Sequence, residues 1–308
     1  MNIIVGKNAG FCFGVKRAVE GSLKEITNNK KIYCLGELVH NKEVINKLQE
    51  KGIIFIDDIN EIKSDNAKLI IRAHGVEQKV YKDIRNKKIE LIDFTCPFVA
   101  KIHKIADDYQ KKGYYIFLIG NRKHPEIIGT SSHCGNNYSI IENEDDLTNE
   151  LNILKKKIIK NLLVIVQTTY SKDKYAVIEK NIREKIDSNV NLVIKNTICN
   201  ATSERQDETK EIAKKVDLMI IIGGKNSSNT RKLFEIASKY TNSLIIETAD
   251  EINLNDIKGY RNIGIMAGAS TPKESIDELI RKLNNNLLTK NVDNFLSWLH
   301  DLLIVLFR

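Results

Sequence analysis

Short apolar runs rich in Ile, Val and Leu alternate with longer stretches of helical spacing along the chain. The runs at 32–35, 69–72, 89–94, 115–119, 162–166, 192–194, 218–222, 244–246 and 263–266 predict strands. Their near-continuous apolar character suits strands buried on both faces of a sheet. Between them, 15–26, 99–110 and 203–215 carry apolar residues at helical spacing among charged ones. Strands and helices in alternation predict α/β layers on mostly parallel sheets.

The pattern repeats three times when Cys12, Cys96 and Cys199 are taken as origins. A glycine at the end of a strand follows each by 24 residues: Gly36, Gly120 and Gly223. At offset 28 stand His40, His124 and Ser227. A later strand in each unit ends in a polar cluster, around His74, Thr168 and Ser270. Such periodicity is the mark of a repeated supersecondary unit. In open α/β sheets, ligands bind at the carboxyl ends of strands, and all these clusters follow strands. The expected architecture is α/β: three similar αβα domains in a pseudo-three-fold arrangement around one central cavity. The boundaries read as 13–96, 97–198 and 199–285, followed by a C-terminal tail, 286–308. The N-terminal segment 1–12 is assigned to the third domain, because its strand at 3–5 would complete the third sheet by circular closure.

Composition refines this picture at three points. A length of 308 residues by itself suggests about two domains, so the repeat raises that expectation to three. Hydrophobic content of 42% and charged content of 29% exclude a disordered or collagen-like chain. The start, MNIIVGKNAGF, lacks a basic region leading into an apolar one, and no apolar stretch approaches the length of a spanning helix. A cytoplasmic location is therefore expected. There, the 5 cysteines would stay reduced, and a cysteine with a function would be a nucleophile, a redox centre or a metal ligand. The net charge of +8 admits an RNA-binding reading. Scattered lysines and only 6% aromatics argue against it, so no nucleic-acid partner is expected.

Candidate chemistry concentrates on the repeat. Cys12, Cys96 and Cys199 each stand where a loop gives way to a helix, and free N–H groups at a helix start favour a thiolate. Three thiolates without a local Cys-x-x-Cys pair could hold an iron–sulfur cluster with one iron open to substrate. The plainer reading of any one cysteine is a small core hydrophobe. That reading is assigned to Cys34, inside a strand, while Cys134 is expected to be a loop thiol. His40, His74 and His124 can donate hydrogen bonds to phosphate oxygens, as can Ser227, Ser228, Asn229 and Ser270. The loop Gly223–Asn229 lacks the Walker spacing, and serine capping of an ordinary turn is its alternative. Glu126, in His-Pro-Glu, could donate a proton beside Thr168, or be a surface carboxylate. His103 and His300 lie outside the pattern and read as structural or exposed.

The ordered motifs GFCFGVKRA, GELVHN, IRAHGV, DFTCP, GNRKHPE, VQTT, TICNAT, GGKNSSN and AGAST closely resemble the 4-hydroxy-3-methylbut-2-enyl diphosphate reductase (LytB) family over about residues 1–280. That resemblance implies one 4Fe–4S cluster on Cys12, Cys96 and Cys199, at the centre of the three domains. It implies reductive dehydroxylation of an allylic diphosphate to isopentenyl and dimethylallyl diphosphate, the last step of the non-mevalonate isoprenoid pathway. Ferredoxin or flavodoxin would supply the electrons. The diphosphate would be held by His40, His74, Ser227, Ser228, Asn229 and Ser270, with His124 also facing the ligand. Glu126 would donate the proton and Thr168, the first threonine of QTT, would relay or orient it. The competing enzyme class is a non-redox iron–sulfur hydro-lyase acting on a small anionic substrate. The apolar tail at 292–308 departs from the family pattern. It reads as a packing helix, a partner or membrane-surface contact, or an altered end.

Overall fold

The computed structural model describes residues 2–26, 30–64, 66–157, 159–253 and 255–285. The tail and His300 lie outside them. In chain order the elements are β1 (Asn2–Val5), α1 (Phe13–Lys24), β2 (Lys31–Leu35), α2 (Lys42–Glu50), β3 (Ile53–Ile56), β4 (Ala67–Ile71), α3 (Gln78–Asn86), β5 (Glu90–Asp93) and α4 (Pro97–Lys111). There follow β6 (Tyr115–Ile119), α5 (Pro125–Ser131), β7 (Tyr138–Ile141), α6 (Glu144–Leu154), β8 (Asn161–Val166), α7 (Lys172–Lys185) and β9 (Asn191–Ile194). The last are α8 (Asn200–Ala213), β10 (Leu218–Ile222), α9 (Ser228–Ala237), β11 (Asn242–Ile246), β12 (Asn262–Ala267) and a helix at 273–285.

The strands form three four-stranded sheets, ordered β3-β2-β4-β5, β7-β6-β8-β9 and β11-β10-β12-β1. Every pairing is parallel. The third sheet takes its fourth strand from the N-terminus, where Ile3 pairs with Ile263 and Val5 with Ile265. The described residues fall into two compact units, one of 11–207 with the first two sheets, the other of 2–10 and 208–285 with the third.

Each sheet is buried on both faces, as the apolar runs require. In β6, Tyr115, Phe117 and Ile119 enter one core and Ile116 and Leu118 the opposite one. Strand β10 splits the same way, with Leu218, Ile220 and Ile222 against Met219 and Ile221. So does β2, with Ile32 and Cys34 against Tyr33 and Leu35. A period of two on a strand covered by helices on both sides produces this division.

Two strands, β3 and β7, have no counterpart among those expected from sequence. Both are short edge strands with one neighbour each, and both are only partly buried. Strand β7, Tyr-Ser-Ile-Ile, is interrupted by Ser139, whereas β3, Ile-Ile-Phe-Ile, is continuously apolar. Cys134 stands in the loop between α5 and β7, as expected, but its thiol is turned inward. It is 1% exposed and packs in the core with Ile102, Ile127 and Ile165. Its thiol donates to the Thr130 carbonyl at 3.4 Å, and burial pushes its pKa up to about 12. Cys34 lies in the core as expected.

Candidate active site

In each sheet the strand order reverses between the first and third strands of its unit, and loops leaving such a switch point diverge to open a crevice. The candidate residues follow these strands. His40 follows β2 and His74 follows its neighbour β4. His124 and Glu126 follow β6, and Thr168 follows β8. Ser227–Asn229 follow β10, and Ser270 follows β12. The fourth strands β5 and β9 lead to Cys96 and Cys199.

Within the unit 11–207, the three cysteines occupy equivalent positions. Cys12 caps α1 and Cys96 caps α4, with Pro97 in the first turn, while Cys199 immediately precedes α8. All three are free and partly exposed. The start of α1 lies against Cys96, since a side-chain carbon on Gly14 would come within 2.6 Å of the Cys96 Sγ. Burial pushes the Cys96 and Cys199 thiols up. Backbone N–H groups of Phe98 and Val99 oppose this at Cys96, and the hydroxyl and N–H of Thr202 oppose it at Cys199. Cys96 is also electrostatically coupled to Cys12 and Cys199. Three thiols at helix starts, with N–H donors aimed at the Cys96 and Cys199 sulfurs, form a donor set suited to a soft metal centre bound through thiolates.

Three imidazoles form a second cluster. His40 and His74 stack with centroids 4.4 Å apart, and His124 meets both edge-on at 5.6 and 5.4 Å. Their roles differ. The Nδ1 of His124 accepts from the Glu126 N–H at 3.2 Å, which places the proton of a neutral ring on Nε2. The Nδ1 of His40 lies 3.1 Å from a Glu37 carboxylate oxygen, so a protonated His40 has a counter-charge. Burial, then the neighbouring imidazoles and Arg72, hold His74 well below the usual histidine range. A group of neutral and chargeable imidazole donors suits an anion. Glu37 was not singled out from sequence; its place three residues before His40 is the signal that could have found it.

Glu126 is 2% exposed in the first turn of α5, so it is no surface carboxylate. Thr168 donates to it twice, from its N–H to Oε1 and from its hydroxyl to Oε2, both at 2.6 Å. Burial raises the carboxyl to about 7 against those two bonds, which makes it a proton carrier near neutral pH. The carbonyl of Thr168 accepts from the Cys199 N–H at 3.1 Å. One short chain of contacts thus joins the carboxyl to a cysteine-bearing helix start. Thr169 is engaged elsewhere, accepting from the Gln167 amide at 2.7 Å.

In the other unit, Ser227 caps α9, accepting from the Thr230 N–H at 3.4 Å. Asn229 is 3% exposed, and neither its amide nitrogen nor its oxygen has a partner among the described residues. A buried amide without partners is costly and marks a place prepared for a ligand. Gly223, at φ +147°, makes the turn after β10, where a side chain would strike the Thr271 and Thr230 hydroxyls. His103, outside the repeat, is buried and stacks on His133 at 4.4 Å. It packs against Gly75 in the loop that carries His74, a structural place.

Comparison with known proteins agrees with this arrangement. The family described as LytB protein matches residues 3–284. The 4-hydroxy-3-methylbut-2-enyl diphosphate reductase of Alkaliphilus oremlandii is 46% identical over 289 residues, covering 92% of this chain and 100% of that protein. The reductase of the same name from Clostridioides difficile is 43% identical over 286 residues, with 92% and 100% covered. A solved structure of the E-1-hydroxy-2-methyl-but-2-enyl-4-diphosphate reductase from Plasmodium falciparum superposes with a TM-score of 0.83 at 31% identity, covering 92% of this chain and 87% of that one. A repeat of parallel sheets, cysteines at helix starts and polar clusters at switch points, matched over nearly the whole described length, places this chain in the LytB family.

Proposed function

We propose that this chain is an iron–sulfur 4-hydroxy-3-methylbut-2-enyl diphosphate reductase, the terminal enzyme of the non-mevalonate pathway. It reductively removes the substrate's hydroxyl to leave isopentenyl and dimethylallyl diphosphate. The observation that carries this reading is the buried Glu126–Thr168 pair joined through the Thr168 carbonyl to the Cys199 N–H. It sets a proton donor beside a predicted thiolate ligand. Cys12, Cys96 and Cys199 would hold one 4Fe–4S cluster. When bound, such a cluster with one iron not ligated by protein supplies Lewis acidity toward a hydroxyl oxygen and relays electrons.

The protein's own side chains do the rest. His40, His74 and His124 offer ring N–H groups to diphosphate oxygens, and Glu37 lies 3.1 Å from the His40 Nδ1. Ser227, Ser228, Asn229 and Ser270 are further diphosphate contacts, by their places in the family motifs. Anchoring the diphosphate fixes where the small allylic end lies, which replaces a bimolecular encounter by a positioned one. Glu126 donates a proton to the departing hydroxyl, and the Thr168 hydroxyl and N–H hold the carboxyl in place. Two electrons and two protons convert the allylic alcohol to the alkene and water. A ferredoxin or flavodoxin supplies the electrons.

Two measurements test this. Anaerobically purified protein is expected to turn over 4-hydroxy-3-methylbut-2-enyl diphosphate only with a reductant, with both isomeric diphosphates as products. Conversion without a reductant would assign a hydro-lyase instead. Asn229→Ala is expected to raise KM for the substrate by about tenfold or more, the scale of a hydrogen bond to a charged group. Its urea midpoint should stay close to wild type, because the substitution removes an amide with no protein partner. An unchanged KM would remove Asn229 from the diphosphate site. No helix among the described residues is long and apolar enough to cross a membrane.

A further inference from the structure

Among the described residues, the two most exposed large hydrophobic side chains are Phe13, at 65%, and Phe98, at 47%. Both stand in the first turn of a cysteine-capped helix, Phe13 directly after Cys12 and Phe98 two residues after Cys96. Neither serves the core, although a phenylalanine left in water forgoes about 2 kcal/mol of burial. The two helix starts belong to one surface. Gly14 packs on the Cys96 sulfur. The Arg17 guanidinium donates to the carbonyls of Thr95 at 3.1 Å and Asp93 at 3.2 Å.

The charge around the rings is basic. Lys16 follows Phe13 by three residues and Lys101 follows Phe98 by three, so each lies on the same helix face as its ring. Several other helix lysines pair with a carboxylate one turn away, as in Lys47–Glu43 and Lys111–Asp107, and Lys16 does so with Glu20. Lys101 and Lys104 are exposed and have no carboxylate partner among the described residues. Of the acidic groups, Glu20 lies 3.8 Å from Lys16, Asp107 and Asp108 stand one turn after Lys104 with Asp107 paired to Lys111, and Asp93 accepts from Tyr81 and Thr95. Two exposed rings framed by basic side chains, two of them, Lys101 and Lys104, without a carboxylate partner among the described residues, have the make-up of a small transient interface.

We infer that Phe13, Phe98, Lys16 and Lys101 form the docking face for a small acidic iron–sulfur electron carrier. This rests on the reductase reading, which requires two electrons to enter beside the ligand cysteines. Each docking oxidises one reduced carrier by one electron. Two successive dockings, with two protons, balance the loss of the hydroxyl as water. Rings at helix starts project outward, so the partner must bring a flat acidic surface with its redox group close beneath. Basic side chains around such a contact act mainly by steering the encounter.

The experiment uses the anaerobically purified, cluster-loaded enzyme with Lys16→Glu/Lys101→Glu and Phe13→Ser variants. Binding of a reduced bacterial 2[4Fe–4S] ferredoxin is followed by calorimetry across a salt series, and turnover is driven either by that ferredoxin or by reduced methyl viologen. The double charge reversal is expected to weaken ferredoxin binding at least about tenfold and to flatten its salt dependence. Phe13→Ser is expected to weaken it about fivefold. Viologen-driven turnover should stay within about twofold of wild type. Ferredoxin affinity unchanged by the charge reversal, or tighter binding of a flavodoxin at the same face, would overturn the assignment. Absence of viologen-driven turnover in the wild type would instead refute the reductase reading.

Discussion

Glu126→Gln is expected to lower kcat by about 10²–10⁴-fold, the usual contribution of a positioned acid, with little change in substrate KM. Glutamine can accept from the Thr168 N–H and contact the Thr168 hydroxyl, as the carboxyl does at 2.6 Å, but it has no proton to give. The wild-type rate should fall as pH rises through about 7, where the buried carboxyl ionises, and that limb should vanish in the variant. Near-normal turnover would take Glu126 out of the donor role.

Stability provides an independent check on the same group. Burial raises the folded carboxyl above its ordinary value of 4.5, so between there and about pH 7 the folded state holds a proton that the unfolded state has lost. The neutral form's stabilising contribution is complete below pH 4.5 and disappears as pH rises through about 7. Between those limits wild type should lose of order 3 kcal/mol relative to Glu126→Gln. Urea unfolding of the cluster-free chains at pH 5 and 8 would show it. A constant difference between the two proteins would mean that the carboxyl is not perturbed.

Cys199→Ser is expected to abolish reductase activity and to strip most iron and sulfide from anaerobically purified protein, while the fold survives. The physical reason is positional. Serine is among the best residues at a helix start, so α8 loses nothing, but a hydroxyl is a harder and far less acidic ligand than a thiol. The same argument applies to Cys12 and Cys96. Full iron and sulfide in the variant, with wild-type far-ultraviolet circular dichroism, would exclude Cys199 as a ligand. Wild-type protein isolated anaerobically, folded and active yet free of iron and sulfide, would exclude the cluster altogether.

Much of the active site was legible in the sequence because its residues sit at fixed offsets from strand ends. Gly36, Gly120 and Gly223 mark the same turn in three units, and His40, His124 and Ser227 follow each at the same distance. A parallel strand buried on both faces is written in continuous apolar residues, so its end is easy to see. The edge strand β7 was less legible, because Ser139 breaks its apolar run, while β3, Ile-Ile-Phe-Ile, carries the same continuous signal as the expected strands. The burial of Cys134 was not legible either. The short polar stretch around it is a loop, but the thiol points into the core between α4 and the second sheet.

Sequence alone determined the α/β class, the three-fold repeat and the residue types at the strand ends, because these follow from local periodicity and spacing. Tertiary structure decided which groups meet and what state they are in. It joined Glu126 to Thr168 across 42 residues and buried the pair, which brings a carboxyl to about 7. It placed Glu37 beside His40 and pushed His74 toward the neutral form. It left Phe13 and Phe98 in solvent beside the cysteines. Proton affinity, pairing and exposure depend on what surrounds a side chain in space, and the spacing of residues along a chain does not carry that information.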